Sequence, residues 1–408
     1  MELQVAPGSG GRPRLPAFDF DVVVVGGGPA GATAASELAR RGHSVLLLDR
    51  GGRVKPCGGA VPPRLIQDFA IPESQLVARA TSARMFAPSH RSVDMPIEDG
   101  FVGMVDRDRF DEWLRCRAAT DGATRRTALF EGVRREDGVS VVACRECSTD
   151  GSGAAFEVRA RAVVGADGAR SAVARAAGVK GAAKMRYVFA YHEIVRSPAG
   201  ADPGRCEVHY NGKVSPDFYG WVFPHGATTS VGLGSARKGF ALRPATTALR
   251  AATGLEGAET LRREGAPIPM HPLGRWDNGR DVLLAGDAAG VVAPASGEGL
   301  YYAMLGGQLA GEAVDRFIVT GKVGALRDAR RRFMRAHGGV FRVLGLMQRF
   351  WYANDNRRER FVSICQDEDV QRLTWTAYMT KELVRAKPVV HLRIFCKNIA
   401  HLAGLVSA

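Results

Sequence analysis

Two short runs of aliphatic residues near the beginning of the chain enclose a segment with helical periodicity. Residues Val22–Val25 and Ser44–Leu48 are almost continuously apolar, which is typical of parallel strands covered on both faces. Between them, Ala30–Arg41 has the apolar spacing of a helix and is followed by Gly42, a residue suited to a left-handed helix cap. The pattern predicts a strand–helix–strand unit and therefore an α/β fold.

The turn between the first strand and the helix is rich in glycine. Gly26 suits a tight turn, Gly28 lets the backbone approach a pyrophosphate, and Gly31 lets the helix pack closely on the strand. The helix start directs free N–H groups at the phosphates, and Asp49, at the end of the second strand, can hydrogen-bond a ribose. This context predicts a dinucleotide site; a glycine-rich turn in an ordinary α/β domain is the alternative. The predicted contacts are Gly26, Gly28, Ala30, Gly31, Asp49 and Arg50.

Further along the chain the apolar pattern changes twice. The strand-like run Phe156–Ala166 continues the first pattern, whereas residues 187–234 alternate like strands of an antiparallel sheet with one covered face. The run Asp281–Asp287 and a long helix over Gly299–Phe317 return to the first pattern, so we predict a nucleotide-binding domain with an inserted substrate domain. The predicted boundaries are 1–18 for a disordered leader; 19–60, 100–180 and 275–320 for the nucleotide-binding domain; 61–99 and 181–274 for the substrate domain; and 321–408 for a C-terminal helical region.

The composition is that of a globular protein with a strong basic excess. The chain has 408 residues, 46% of them hydrophobic, and a formal net charge of +14. No nucleic-acid-reading module is recognisable, which argues against nucleic acid as a partner. Arginines concentrate in the last ninety residues, Arg358 among them, and Pro388–Val406 carries one apolar and one basic helical stripe. The basic excess indicates either contact with an anionic membrane surface or a solvated basic face. The predicted helix indicates either a membrane-surface helix or a helix that caps the core.

Cysteine usage and the first residues bear on the compartment. Seven cysteines without a framework spacing favour a reducing environment. Cys144 and Cys147 form a lone C-x-x-C with no second pair, so we expect no metal site there. Residues 1–18 lack the apolar core of a signal peptide, and no transmembrane run is evident, so we expect a cytoplasmic protein.

Two later motifs decide which dinucleotide is expected. Gly165–Gly168 follows a strand, and Gly286–Gly290 precedes the long helix. In order and spacing, these motifs and the glycine turn resemble the glutathione-reductase-like flavoproteins, specifically the branch built like p-hydroxybenzoate hydroxylase. The resemblance implies tightly bound FAD, with Asp287 at the ribityl chain and the helix start after Pro294 near the flavin ring. For Arg107, a solvated arginine at a helix start is the alternative. The implied contacts are Arg107, Asp167, Gly168, Asp287, Pro294, Gly297 and Gly299.

Three further segments narrow the resemblance. Lys55–Ala60, Tyr219–Pro224 and Ala293–Gly299 are similar to motifs of the geranylgeranyl reductase family, closest to its (bacterio)chlorophyll branch in photosynthetic bacteria. The similarity covers nearly everything after residue 18. It implies stepwise saturation of a geranylgeranyl group to phytyl, on (bacterio)chlorophyll or on geranylgeranyl diphosphate, with NADPH as a transient electron donor.

The substrate site is expected along one predicted strand. Tyr219, Trp221 and Phe223 are two residues apart, so on a strand they share a face and can line a hydrocarbon, although ordinary sheet core explains the spacing equally well. With Pro224 they are the predicted substrate contacts. Because isolated double bonds have no carbonyl to polarise them, we hypothesise delivery of a hydride to one carbon and a proton to the other. The candidate catalytic residues that supply the proton are Cys57, Tyr219 and His225, Cys57 first.

Two other functions remain open from the sequence. A flavin monooxygenase shares the fold and all three FAD motifs. A prenyl-binding escort protein on a degenerate flavoprotein scaffold is the other alternative, although the intact glycine turn and Asp287 argue against it.

Overall fold

The computed structural model describes residues 17–382 except 53 and 148–152. Most of the predicted leader and the predicted helix Pro388–Val406 lie outside the described residues. The strands are β1 Phe20–Val25, β2 Val45–Asp49, β3 Ala60–Val61, β4 Ala78–Ala80, β5 Ser82–Phe86, β6 Ser92–Pro96, β7 Val102–Met104, β8 Thr124–Glu136, β9 Val139–Glu146, β10 Ala155–Gly165, β11 Tyr187–Arg196, β12 Arg205–His209, β13 Gly220–His225, β14 Thr228–Ser235, β15 Thr260–Pro269 and β16 Val282–Leu284. The helices are α1 Pro29–Arg40, α2 Pro63–Asp68, α3 Arg107–Thr120, α4 Ala172–Ala176, α5 Leu242–Ala252, α6 Leu300–Thr320, α7 Arg327–Trp351, α8 Asp355–Ile364 and α9 Glu368–Thr380.

The first sheet carries the nucleotide-binding pattern. Its parallel part has the order β8-β2-β1-β10-β16, and β1 is buried at its centre because Val22–Val25 are apolar on both faces. The long strands β8 and β10 each continue beyond it and pair antiparallel with β9. Two strands therefore serve both the parallel sheet and an attached antiparallel ribbon.

Helix α1 lies against α6 at very short range. A Cβ at Gly307 would lie 2.2 Å from the carbonyl oxygen of Ala30, and a Cβ at Gly286 would lie 2.6 Å from the Ala30 Cβ. The absence of side chains at these glycines therefore lets α6 and the segment before it pack directly against Ala30, beside the glycine turn.

The second sheet has seven strands in the order β15-β11-β14-β13-β12-β5-β6. All its pairs are antiparallel except β12 and β5, which run parallel. Its strands come from two separated stretches, residues 82–96 and 187–269, and a small sheet of order β3-β7-β4 lies at the junction. One face of this sheet, which carries Tyr219 and Trp221, packs with residues of the C-terminal helices.

Helices α7, α8 and α9 pack across that face. The sequence pattern predicts Arg358 on a basic surface, and this prediction is wrong. Its side chain is buried, contacts Asp355 at 2.6 Å and donates to the carbonyl oxygens of Pro216 and Tyr352. Among the helices of the described residues, none combines the length and the apolar character needed to cross a bilayer.

Candidate functional site

The glycine turn after β1 has the geometry expected of a phosphate site. Gly26 has φ +105°, and a Cβ there would lie 2.4 Å from the Ala166 carbonyl oxygen. At Gly31 a Cβ would lie 1.8 Å from the Gly26 oxygen, whereas at Gly28 it would meet nothing within 4 Å. The open space at Gly28, in front of the α1 N-terminus, fits the pyrophosphate of a dinucleotide. Ala30 faces α6 within the packed helix pair.

Asp49 lies beside this turn. Its carboxylate accepts from the N–H groups of Gly27 and Gly51, at 2.8 Å each, which orders the loop after β2. A cavity of about 190 Å³ adjoins it, and Arg115 and Glu112 contribute to its wall. This cavity can hold the ribose end of the cofactor. Arg50 is exposed beside it, and Arg115, which donates to the Gly27 carbonyl oxygen, was missed by the sequence reasoning.

Arg107 begins α3 and is buried, so the solvated alternative was wrong. It makes two hydrogen bonds to Asp111, at 2.8 and 2.7 Å. Burial alone would lower the pKa of Arg107, but Asp111 and the nearby Cys57 thiol outweigh it and raise the pKa. The guanidinium is therefore a fixed positive charge in the wall of the central cavity.

Asp167 and Gly168 form the turn after β10. One carboxylate oxygen of Asp167 accepts from the N–H groups of Ala172 and Val173, so it caps α4. Burial raises the pKa of Asp167. Gly168 has φ +88°, the left-handed conformation that favours glycine. The described contacts give Asp167 a capping role at this turn.

The motif Gly286–Gly290 leads into a loop with an unusual backbone conformation. Asp287 is buried and pairs with Lys55, a residue that the sequence reasoning did not select. Ala295 has φ +63° and Gly297 has φ +64°, so two left-handed residues shape the segment before α6. Pro294 is buried near Gly345 of α7. The resulting loop, residues 295–299, lines the central cavity with its backbone.

The central cavity has a volume of about 660 Å³. One wall is the Asp287 motif with the loop 295–299, and a second is the strap Lys55–Gly59. The third is the face of the second sheet, and the fourth is formed by α7, α8 and α9. Outside the first two walls the lining is mostly apolar. A polar end of a cofactor and a hydrocarbon can therefore meet in one space.

The predicted aromatic row lies on the sheet wall. Tyr219, Trp221 and Phe223 all line the cavity, with ring centroids 6.1 and 6.4 Å apart. The Tyr219 hydroxyl donates to the Ser296 carbonyl oxygen at 2.5 Å, and burial raises the pKa of Tyr219. Pro224 follows in β13 and is buried.

His225 and Cys57 are separated by their environments. His225 is buried outside the cavity lining and contacts Asp106 through Nδ1 at 3.0 Å and the Gly58 carbonyl oxygen through Nε2 at 3.1 Å. With both ring nitrogens engaged, His225 positions the strap. Cys57 lines the cavity and is half-buried. The geometry therefore leaves Cys57 and Tyr219 as candidates at the cavity.

Much of the cavity wall escaped the sequence reasoning. Helices α7–α9 were expected to be basic, yet Leu344, Met347 and Trp375 line the cavity. His192 also lines it, beneath Trp221. Apolar residues at intervals of three to four positions in α7 could have indicated a buried helical face, but no local signal gives its partner.

Comparisons with known proteins agree with this geometry. The family model of the pyridine nucleotide-disulphide oxidoreductases matches residues 20–198. The geranylgeranyl diphosphate reductase of Rhodobacter capsulatus is 55% identical over 390 residues, covering 95% of this chain and 98% of the relative. The chloroplastic geranylgeranyl diphosphate reductase of Oryza sativa is 36% identical and covers 98% of this chain and 90% of its own.

Solved structures share the architecture. A geranylgeranyl bacteriochlorophyll reductase-like protein from Thermoplasma acidophilum superposes with a TM-score of 0.79 at 22% identity, over 95% of this chain and 99% of its own. The flavin-dependent brominase Bmp2 gives a TM-score of 0.71 at 15% identity, over 94% and 99%. With the matching family model, these likenesses confirm the predicted FAD-binding fold.

Proposed function

The chain belongs to the geranylgeranyl diphosphate reductase family, and from this premise we propose that it is an FAD-dependent oxidoreductase that saturates the double bonds of a geranylgeranyl group. The observation that carries the proposal is one continuous cavity of about 660 Å³ that joins the Asp287 motif to an apolar slot. FAD bound at the glycine turn supplies the hydride chemistry for such a reduction.

The apolar slot explains how a hydrocarbon is held. Burial at about 0.8 kcal/mol per carbon gives a twenty-carbon tail a gross transfer energy on the order of 10 kcal/mol. Removing one double bond changes this energy little, since small apolar differences are worth only about 1–3 kcal/mol. A partly reduced product can therefore bind again, as stepwise saturation to phytyl requires.

The headgroup of the substrate is proposed to stay outside the slot. Among the described lining residues, Lys55 and Arg107 are the ones with permanently cationic side chains, and each contacts a carboxylate. A diphosphate would therefore find no free cation inside. This arrangement supports recognition of the tail on either geranylgeranyl diphosphate or geranylgeranylated (bacterio)chlorophyll.

We propose Cys57 as the proton donor to the second carbon. It lines the same cavity as Arg107 and the aromatic row, whereas the Tyr219 hydroxyl already donates to a backbone carbonyl oxygen. Cys57→Ser should retain the FAD content and lose turnover by more than about tenfold, within the range for a lost general acid. Full turnover in this variant would exclude Cys57.

Peripheral contact with an anionic membrane is proposed for substrate delivery. NADPH is proposed as the electron donor. Purified protein should be incubated without oxygen with NADPH and geranylgeranyl diphosphate, or a geranylgeranylated pigment. Products should gain two hydrogens at a time. Turnover that requires oxygen would indicate a monooxygenase, and a protein that purifies without bound flavin would support an escort role.

A further inference from the structure

A row of four residues crosses the second sheet, and two of them, Trp221 and His192, line the cavity. Trp221 of β13 pairs with Gly232 of β14, Gly232 pairs with His192 of β11, and His192 pairs with Glu264 of β15. A Cβ at Gly232 would lie 2.4 Å from the His192 Cβ and 2.7 Å from Trp221 Cζ2. The missing side chain at Gly232 therefore lets the indole and the imidazole approach each other across the sheet.

Hydrogen bonds connect the same residues through Ser230. The Trp221 Nε1–H donates to Ser230 Oγ at 3.1 Å, and His192 Nδ1 lies 3.0 Å from the same oxygen. His192 Nε2 lies 2.9 Å from Glu264 Oε2. An indole N–H can only donate and a carboxylate only accepts. Every atom is satisfied when Trp221 donates to Ser230, Ser230 to His192, and His192 to Glu264.

The chain runs from the buried cavity wall towards a charged edge. Ser230 and His192 are buried, and Arg262 contacts the other oxygen of Glu264 at 3.0 Å. Burial raises the pKa of Glu264, but the hydrogen bond from His192 and the charge of Arg262 outweigh it, so the pKa is lowered. An ionised carboxylate therefore terminates the chain.

Both ring nitrogens of His192 are engaged, so His192 is not placed to protonate a substrate. Successive hydrogen bonds that end on an anion polarise each other. The polarisation shifts electron density towards the indole ring, whose face attracts positive charge. Reduction of an alkene forms two C–H bonds, one from hydride and one from a proton. When proton transfer runs ahead of hydride transfer, positive charge develops on the carbon that still awaits the hydride.

We propose that Glu264, His192 and Ser230 are positioning residues that orient the Trp221 indole and enrich its face for the positive charge that develops on the bound tail. This inference rests on the proposed function. Substitutions of the three residues should therefore lower kcat for tail reduction and change tail binding and FAD content little.

A double-mutant cycle tests the proposal. Ser230→Ala should lower kcat by about tenfold, a change that fits the strength of a desolvated cation–π contact, with KM for the tail changed less than twofold. In a Trp221→Phe background, which has no indole N–H, Ser230→Ala should have no further effect. The matched control is Thr229→Ala, whose hydroxyl contacts Ser197 instead. A Ser230→Ala effect of equal size in both backgrounds would overturn the proposal.

Glu264→Gln separates charge from shape. The amide keeps a hydrogen-bond acceptor for His192 but removes the negative charge, so kcat should fall about threefold while the near-ultraviolet circular dichroism of the tryptophans stays unchanged. An unchanged kcat would overturn the electronic role. FAD content and reduction by dithionite should equal those of the unmodified protein. If the unmodified protein reduces no geranylgeranyl substrate, the proposed function fails instead, and the circular dichroism of Ser230→Ala still tests the indole orientation.

Discussion

The glycine turn and the cavity wall around Trp221 both shape a space for a ligand, but by opposite means. In the glycine turn, the missing side chains at Gly26 and Gly31 let backbone segments pack closely, and the missing side chain at Gly28 leaves open space in front of the backbone. The wall is built from large side chains of β13 and of α7–α9, which are far apart in sequence. Substitutions in the first region should act by adding atoms, and in the second by changing which atoms face the slot.

The largest effect is expected inside the turn. Gly31→Ala places a Cβ 1.8 Å from the Gly26 oxygen, so the contact between β1 and α1 must open. We expect a loss of more than about 4 kcal/mol in the free energy of unfolding, the range for severe overpacking and backbone strain. Thermal unfolding measures it.

Gly28→Ala is the matched control for that substitution. Its Cβ would meet no protein atom within 4 Å, so the melting temperature of the FAD-free protein should be unchanged while FAD affinity falls. A Gly28→Ala protein with normal FAD content would contradict the placement of the pyrophosphate.

The next effect is expected in the cavity wall. Lys381, after α9, lies 3.0 Å from Glu298 of the loop 295–299, and both side chains are buried. Glu298→Gln leaves a buried cation unpaired and should cost about 3–5 kcal/mol. The double variant Glu298→Gln/Lys381→Met should recover most of it. Thermal unfolding and hydrogen exchange of α9 measure the loss of stability in both variants. Equal losses in the single and the double variant would contradict a paired charge.

A smaller effect is expected from filling the slot. Leu344→Trp adds a large ring to a lining position, so KM for a geranylgeranyl substrate should rise about tenfold, within the range of apolar size discrimination. FAD content should not change. The control is Val319→Trp, at a position of α6 that is 73% exposed. Equal kinetics of the two variants would place the tail elsewhere.

The smallest effect concerns pH. The hydrogen bond from His225 lowers the pKa of Asp106 and outweighs burial, which raises it. A carboxyl whose folded pKa is depressed stabilises the fold above its unfolded pKa of about 4 and loses that contribution as pH falls further. His225→Gln should therefore cost about 1 kcal/mol at pH 6, after allowance for the partial exposure of Asp106. The difference should shrink below pH 4. A difference independent of pH would contradict the pairing.

These contrasts also explain what the sequence could reveal. The turn was predictable because its constraints act within six residues, and strand alternation was enough to put Tyr219, Trp221 and Phe223 on one face. The family resemblance was confirmed by the relatives. The fold class was confirmed as well.

Other features depend on contacts between distant segments. His225 contacts the Gly58 carbonyl oxygen, 167 residues away. The sequence suggested a catalytic role for His225, whereas this contact indicates that it positions the strap. The arginines of α7 and α8 indicated an exposed surface, yet Arg358 is buried and donates to the Pro216 carbonyl oxygen, 142 residues away, as well as to that of the nearby Tyr352. No local pattern encodes the Pro216 contact.

The central claim is that the reduced cofactor and the hydrocarbon tail share one cavity. Protein with its bound FAD should be photoreduced without oxygen and mixed with one equivalent of geranylgeranyl diphosphate, while absorbance near 450 nm is followed. The yellow absorbance should return, and the product should gain two hydrogens per flavin. Reoxidation without a mass gain, or a flavin that stays bleached in the presence of substrate, would contradict it.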